Sequence, residues 1–265
     1  MTTATAPRVS RPSFMGRGLG KLVGTETRMF LREPGAMFFS LAFPSVLLLG
    51  VGFLIPGLRD PITEPGPMQG MQGVVYMLPS VLAAAIAAPA LTTLPVSIAG
   101  YREQGVLKRL STTPMRPQGL LVAHVVLGVA CFLVAAAVAV ALAMLAFDVP
   151  APRQLGTVLL GAVLAAAATF GVGLVIAAVA PRGNAAQGMG MLLYFPMLFL
   201  AGLWTPGPVM PDVVESIATW TPLGAASQAF EDGWFTGDFP VVQLLVMAAY
   251  VAVLYPIAAK LFRWS

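Results

Sequence analysis

Long uncharged runs fill most of this chain, and each is long enough to cross a lipid bilayer as a helix. They cover residues 34–58, 65–101, 117–147, 154–181, 183–211 and 239–259. A helix needs about 20 residues to span a hydrocarbon core of about 30 Å. The sequence therefore predicts an all-α integral membrane protein with six transmembrane helices. The predicted spans are residues 36–57, 74–99, 118–147, 155–180, 186–205 and 240–261, within a membrane domain at 34–265.

The composition excludes a soluble protein. Hydrophobic residues make up 58% of the chain, charged residues 10%, and the mean hydropathy is +0.84. Soluble proteins carry about 25% charged residues. The 10% in this chain is too little to cover a water-exposed surface. Its net charge of +4 reflects orientation in the membrane, and we expect no nucleic-acid partner.

The distribution of charge predicts the orientation. Threading the six spans alternately places 13 Lys and Arg with 3 acids on one side, and 2 bases with 8 acids on the other. Basic flanks are retained on the cytoplasmic side of a membrane. Both termini are therefore predicted to be cytoplasmic.

The segment before the first span contains two predicted regions. Residues 1–13 are poor in large apolar side chains and are predicted to be a disordered tail. Residues 14–33 have a helical period that predicts an interfacial amphipathic helix, with lipid anchoring or contact with a cytoplasmic partner as its role. Its basic stripe is Arg17, Lys21, Arg28 and Arg32. Glu26 lies in the apolar stripe, so we expect a nearby cation, with the loop at 102–116 as its source.

Two connections between spans also carry helical patterns. The cytoplasmic loop at 102–117 predicts a short amphipathic helix, which serves either as a basic turn that fixes topology or as a contact for a soluble partner. The segment at 205–238 has five acids and no bases, and its uncharged stretch at 216–230 is too short to span. It predicts broken helices that dip into the outer leaflet and return, forming a cap.

Catalytic and metal-binding patterns are missing from the sequence. Apart from Lys260 near the end of the last span, no predicted span contains Asp, Glu, Lys or Arg, which are the usual residues of proton relays and ion sites. No cluster has the spacing of metal ligands, and no nucleophile has a nearby base. The stretch GRGLGKL at 16–22 lacks the first Gly and the final Ser or Thr of a phosphate-binding loop. We expect no ATPase activity, no catalytic residue and no cofactor in this chain.

The cytoplasmic loop, YREQGVLKRLSTTPMRPQGLL, resembles that of ATP-binding-cassette (ABC) type-2 exporter permeases, whose pattern is close to R-E-x-G-[ST]-x-[EK]-[RK]-L-x-[ST]-T-P. Two more stretches are similar: Arg32-Glu33-Pro34, and LAGLWTPGPVMPDVVESIATWTPLGAASQAF after the fifth run. The nearest branch resembles the daunorubicin-resistance-like drug exporters. Glu231 and Asp232 stand near a point where the family often has a basic residue.

The resemblance implies a permease that works as a pair with a second permease copy or homologue, docked on two ABC ATPase subunits that bind ATP and Mg. It implies a bacterial cytoplasmic membrane location. Its coupling element would be Arg102, Glu103, Gly105, Leu107, Lys108, Arg109 and Leu110. Its outer gate would include Gly202, Pro206, Pro211, Trp220 and Pro222.

The substrate is expected to be amphiphilic or hydrophobic, because the path along the second and fifth spans is uncharged. Gly171 and Gly173 are interpreted as sites of close helix packing. Three alternatives stay open from the sequence: a permease for a lipid-linked glycan, a membrane scaffold without transport, and an intramembrane enzyme.

Overall fold

The computed structural model of this chain describes residues 17–63, 65–66, 68–111, 118–205 and 210–262. These residues form helices and connecting turns, and the only strand-like pairing among them is one bridge between Pro61 and Gln72. The prediction of an all-α membrane protein is confirmed. Residues 1–13 and Pro206 lie outside the described residues.

Twelve α-helices follow one another within the described part of the chain. They are α1 Arg17–Phe30, α2 Pro34–Met37, α3 Phe43–Leu54, α4 Met77–Ala88, α5 Leu94–Glu103, α6 Val106–Ser111, α7 Gln118–Phe147, α8 Leu155–Val179, α9 Gly183–Leu200, α10 Asp212–Ala218, α11 Pro222–Glu231 and α12 Val241–Leu261. A 3₁₀ turn at Gly73–Tyr76 precedes α4, and a π turn at Asp232–Thr236 follows α11.

Two further π turns, at Phe38–Ala42 and Pro89–Thr93, interrupt the first two membrane-length segments. Each turn lies just before a proline near the start of the next helix, Pro44 in α3 and Pro95 in α5. A proline nitrogen cannot donate to the carbonyl four residues earlier, so the helix widens there instead of continuing its regular ladder. We call Pro34–Leu54 the first segment and Gly73–Glu103 the second segment.

Five helical segments in the described residues are long and apolar enough to cross a membrane: Pro34–Leu54, Gly73–Glu103, Gly119–Phe147, Leu155–Val179 and Val241–Leu261. They overlap five of the six predicted spans. The sixth, at 186–205, overlaps α9, which has 18 residues and carries Asn184 and Gln187 in its first turns. These amides lower the hydropathy of α9, and a sixth crossing stays a prediction.

The two ends of the bundle differ in charge. One end, here called the basic end, carries α1, α6 and the turn from α8 to α9. The opposite end, here called the acidic end, carries the turn from α7 to α8 with α10 and α11. At the acidic end, the indole nitrogen of Trp234 donates to the carbonyl of Pro150, at 2.8 Å. This bond joins the α7–α8 turn to the segment that follows α11.

The second segment lies at the centre of the bundle. In its most apolar window 94% of the residues are buried, against 22–61% in the other four segments. Every residue of α4 is buried, and five of its twelve residues are alanine. Small side chains let neighbouring helices approach the backbone closely, which is how helices associate in lipid. The first segment, α7, α8, α9 and α11 all contact this segment.

Glycines on two neighbouring helices meet the widened turn of the second segment. A methyl group added at Gly173 of α8 would overlap the carbonyl of Ala90, and one added at Gly190 of α9 would overlap the carbonyl of Leu91. A methyl at Gly171 would lie 3.2 Å from the ring of Tyr255 in α12. The interpretation of Gly171 and Gly173 as packing sites is confirmed.

We predict that Gly190→Ala lowers stability by about 1–3 kcal/mol, because the methyl cannot fit without separating α9 from the second segment. Gly188→Ala in the same helix is the matched control, since nothing lies within 4 Å of its added methyl group. Thermal unfolding in detergent micelles measures the difference. Equal unfolding temperatures for the two variants would contradict the close packing.

Candidate functional site

The short helix α6 follows the second segment at the basic end. Gly105 has φ +68°, a left-handed conformation that glycine adopts without strain and that reverses the chain between α5 and α6. Arg109 on α6 is exposed, and its Nη2 donates to the carbonyl of Gln104 at 3.2 Å. The side chains of Lys108 and Leu110 lie outside the described residues.

Leu107 does not fit the sequence interpretation of α6. That interpretation assigned the apolar side of the helix, with Leu107 and Leu110, to contact with a soluble partner. Leu107 is only 2% exposed and packs into the main hydrophobic core of the chain itself. Its side chain therefore holds α6 against the membrane bundle, and the exposed surface of α6 includes Arg109 instead.

Arg102, at the end of α5, binds the C-terminal end of α8. Its Nη1 donates to the carbonyls of Ala177 and Ala180, at 2.9 and 2.8 Å. The guanidinium carbon lies 5.3 Å from the centre of the Phe262 ring, just beyond α12. A cation at this position satisfies free carbonyls at the negative end of the α8 dipole.

Glu103 makes the complementary contact with the next helix. Its Oε2 accepts a hydrogen bond from the backbone nitrogen of Gly183, the first residue of α9, at 3.2 Å. The carboxylate thus meets the positive end of the α9 dipole. Adjacent residues of opposite charge thus link the start of the α6 loop to the two helix ends of the α8–α9 turn.

A buried polar cluster joins α1 to the bundle. Glu26 of α1 is 6% exposed, and both of its carboxylate oxygens accept from the hydroxyl of Tyr101, at 3.1 and 2.9 Å. Nε2 of His124, in α7, lies 3.3 Å from Oε2 of Glu26. Nδ1 of His124 lies 3.0 Å from the carbonyl of Leu120. These contacts hold α1 against the second segment and α7.

This cluster corrects the expected source of the partner for Glu26. The sequence interpretation placed the cation in the loop at 102–116, whereas the described partners of Glu26 are Tyr101 and His124. His124 is 5% exposed. No short-range pattern links residues that are 75 or more positions apart, so sequence reasoning did not find this contact.

The basic residues of α1 and the turn after it face outward. Lys21, Arg28 and Arg32 are exposed, and the side chain of Arg17 lies outside the described residues. Phe30 is buried and packs with Leu127 and Cys131 of α7 in a second, smaller apolar cluster. The helix therefore lies against α7 with one apolar face covered and its cations free to meet anionic groups.

A cleft of about 510 Å³ opens between the first segment, the second segment and α9. It extends from Glu33 to Trp204. Its walls are mostly apolar and aromatic, and they include Phe39, Phe43, Leu47, Val96, Met191, Tyr194, Phe195 and Leu198. The sequence analysis placed a path along the second and fifth spans but did not include the aromatic side chains of the first segment.

The polar side chains that line this cleft are Glu33, Thr92, Thr93, Ser97, Gln187 and Tyr194. Thr92 donates to the carbonyl of Ala88 at 2.7 Å, so its hydroxyl proton is already used. The buried hydroxyl of Tyr194 has no hydrogen-bond partner in the described part of the chain. An unpaired buried hydroxyl is costly. Tyr194 is therefore suited to bond a polar atom of a bound molecule.

At the acidic end, the predicted gate residues shape the segment between α9 and α12. Gly202 has φ +84° and ends α9, while Pro211 directly precedes α10. Pro222 begins α11, whose first turn is capped by Thr221 Oγ accepting from the nitrogen of Gly224 at 3.2 Å. Trp220 is 66% exposed, and its carbonyl accepts from Tyr250 of α12 at 2.9 Å. Their role as a gate stays a prediction.

Comparison with known proteins gives one family. The model of the family described as "ABC-2 type transporter" matches residues 17–235. The match runs from the start of α1 to the π turn after α11, so it includes the α6 loop and the cleft. No curated protein matches the chain.

We predict that Glu26→Gln weakens the attachment of α1, because a neutral amide accepts hydrogen bonds from the buried Tyr101 hydroxyl less strongly than a carboxylate does, at a cost of about 1–3 kcal/mol. Trypsin should then cleave at Arg28 faster in membrane vesicles. Lys21→Gln is the control, because Lys21 is an exposed residue of the same helix. Equal cleavage rates in the wild type and both variants would contradict a structural role for the cluster.

Proposed function

This chain belongs to the ABC-2 type transporter family and is an ABC transporter permease, and on that premise we propose that it exports an amphiphilic or hydrophobic molecule, such as a drug, antibiotic or lipid-like compound. The molecule would leave from the cytoplasm or from the inner leaflet. ATP hydrolysis on a separate ABC subunit, which would bind ATP and Mg, would supply the energy.

The cleft between the first segment, the second segment and α9 is the observation that supports this proposal best. Its volume of about 510 Å³ lies in the range of sites for drug-sized molecules, which is about 300–1,000 Å³. Mostly aromatic and aliphatic walls, together with the unpaired buried hydroxyl of Tyr194, suit an apolar body that carries a polar group. Because most of this lining is apolar, we favour an amphiphile over a lipid-linked glycan.

The α6 loop is the proposed contact for the ABC ATPase. Arg109 and Lys108 would meet acidic groups of that subunit, while the buried Leu107 would pass the movement of α6 into the bundle. Arg102 and Glu103 would carry it on to the ends of α8 and α9 through the bonds described above. Two ATPase subunits would serve two permeases, the second being another copy of this chain or a homologue.

The charge at the two ends supports an orientation for this assembly. We propose that the basic end faces the cytoplasm of a bacterial cell, with both termini on that side, because basic residues are retained there during insertion. The acidic end, with its gate residues, would then face outward. The exposed cations of α1 would lie against anionic lipid headgroups of the inner leaflet.

We predict that Val96→Trp abolishes transport, because Val96 lines the cleft and a larger ring there removes the space for a substrate. Val163→Trp is the matched control, since Val163 is 65% exposed on α8. The measurement is ATP-driven movement of rhodamine 6G into inverted vesicles containing both subunits, at equal protein abundance. Unimpaired transport by Val96→Trp would exclude this cleft as the path.

We predict that Arg109→Glu slows association with the ATPase and changes its salt dependence, because it reverses an exposed charge of the proposed interface. Lys260→Glu reverses an exposed charge near the end of α12 and should have no effect. Surface plasmon resonance against the purified ATPase at two salt concentrations gives the rates. If both variants associate like the wild type, α6 is not the docking element.

A further inference from the structure

Arg102 carries two hydrogen-bond donors that no described part of the chain accepts. Its Nη1 is used, since it donates to the carbonyls of Ala177 and Ala180 at 2.9 and 2.8 Å. Its Nε and Nη2 are buried and have no hydrogen-bond partner among the described residues. A guanidinium cannot give up its charge in a protein, so buried donors without an acceptor cost free energy. This cost indicates a missing acceptor.

The two unpaired donors define the shape of that acceptor. The Nε–H and Nη2–H groups lie on the same edge of the planar guanidinium and point in parallel directions. Two oxygens of one phosphate or carboxylate group accept from such an edge together. The bonds of Nη1 to α8, and the Phe262 ring at 5.3 Å from the guanidinium carbon, hold the edge in one orientation. The geometry therefore fits a single oxyanion.

The carboxylates beside Arg102 are bonded elsewhere. Glu103 accepts from the backbone nitrogen of Gly183, and Glu26 accepts from the hydroxyl of Tyr101. Within the described ranges, Arg102 forms no ion pair with a carboxylate, and the contact of that kind found there joins Glu26 to His124. The oxyanion must therefore come from another molecule.

The surroundings of Arg102 favour a lipid as that molecule. The side chain lies at the basic end, where α5, α8 and α12 end side by side. Val179 at the end of α8 is 48% exposed and Leu261 at the end of α12 is 43% exposed, so acyl chains have apolar surface to contact. Arg182 after α8 and Lys260 in the last turn of α12 are exposed cations. Basic pockets between transmembrane helices bind anionic headgroups.

We propose that Arg102 binds the phosphate of an anionic phospholipid, whose oxygens accept from Nε and Nη2 and whose acyl chains lie along the exposed ends of α8 and α12. Both nitrogens are enclosed in this structure, so the phosphate enters when the ring of Phe262 turns aside. Rotation of that side chain breaks no backbone hydrogen bond. The bound lipid then joins the ends of three helices next to the α6 loop.

The test measures the dissociation constant of the first dioleoylphosphatidylglycerol bound by the full-length chain in detergent, by native mass spectrometry and without the ATPase. Arg102→Lys keeps the charge and a donor for the α8 carbonyls, but an ammonium has no edge with two parallel donors. We expect this variant to bind about tenfold more weakly. Arg153→Lys, the same change at an exposed residue of the acidic end, is the matched control and should bind like the wild type.

The exposed cations of α1 attract the lipid equally in all three proteins, because neither substitution changes a charge. A lower affinity of Arg102→Lys therefore reports on the guanidinium edge. The lipid should also raise the unfolding temperature of the wild type and of Arg153→Lys more than that of Arg102→Lys, since a ligand of the folded state stabilises it. Unchanged affinity of a folded Arg102→Lys would overturn the proposal.

A second variant, Phe262→Ala, leaves Arg102 intact and tests the proposal even if Arg102→Lys does not fold. It should bind the lipid several-fold more tightly, because no ring has to be displaced. Weaker binding, or binding equal to that of the wild type, would contradict entry of a phosphate at this edge.

Competitors identify the group that is bound. Dioleoylglycerol, which has the same acyl chains and no phosphate, should not displace the lipid, and glycerol 1-phosphate should displace it only at far higher concentration. Displacement by equimolar dioleoylglycerol would exclude the phosphate, and displacement by equimolar glycerol 1-phosphate would exclude a lipid. If Arg102→Lys keeps its lipid affinity and loses binding of the purified ATPase, the edge accepts a carboxylate of that subunit and the proposal is wrong.

Discussion

Close packing around the second segment is the constraint on which the rest of the structure depends. Between helices in lipid there is little hydrophobic driving force, so contact between backbones has to supply the stabilisation. Alanines in α4 and glycines in α8 and α9 make that contact possible. Pro95 leaves a backbone carbonyl in the preceding π turn without its usual donor. The glycines let α8 and α9 pack closely over that turn. Every neighbouring helix is placed by this central one.

The same segment connects the regions proposed to act in transport. Its last three residues bind three different parts of the bundle: Tyr101 contacts α1, Arg102 contacts the end of α8, and Glu103 contacts the start of α9. Its π turn borders the cleft. In the proposed cycle, a displacement of α6 would therefore be transmitted to the α8–α9 turn and to the walls of the cleft. The transmission would pass through hydrogen-bonded contacts of the second segment and not through a flexible linker.

The polar contacts at the basic end give part of the loop motif a structural role. Arg102 and Glu103 look from the sequence like surface charges available to a partner, because they begin a charged, amphipathic stretch. In the structure they occupy the ends of two helix dipoles. The side chain of Leu107 is likewise buried in the core of the chain itself. Part of the motif thus fastens α6 to the bundle, and only its remaining exposed residues are left for recognition of a partner.

The sequence by itself determined the all-α membrane fold, because a long apolar run that crosses a bilayer satisfies its backbone hydrogen bonds as a helix. It also indicated the family, through the loop and the proline pattern after the fifth run. It also indicated close packing at Gly171 and Gly173, since small residues in an apolar helix have few other uses. Only the tertiary structure decided the partners of Glu26, the burial of Leu107 and the walls of the cleft. Those features depend on contacts between residues far apart in the chain, such as Tyr101 with Glu26, and on which face of each helix turns inward. Helical periodicity cannot specify that face when a helix is apolar all round, as α7, α8 and α12 are.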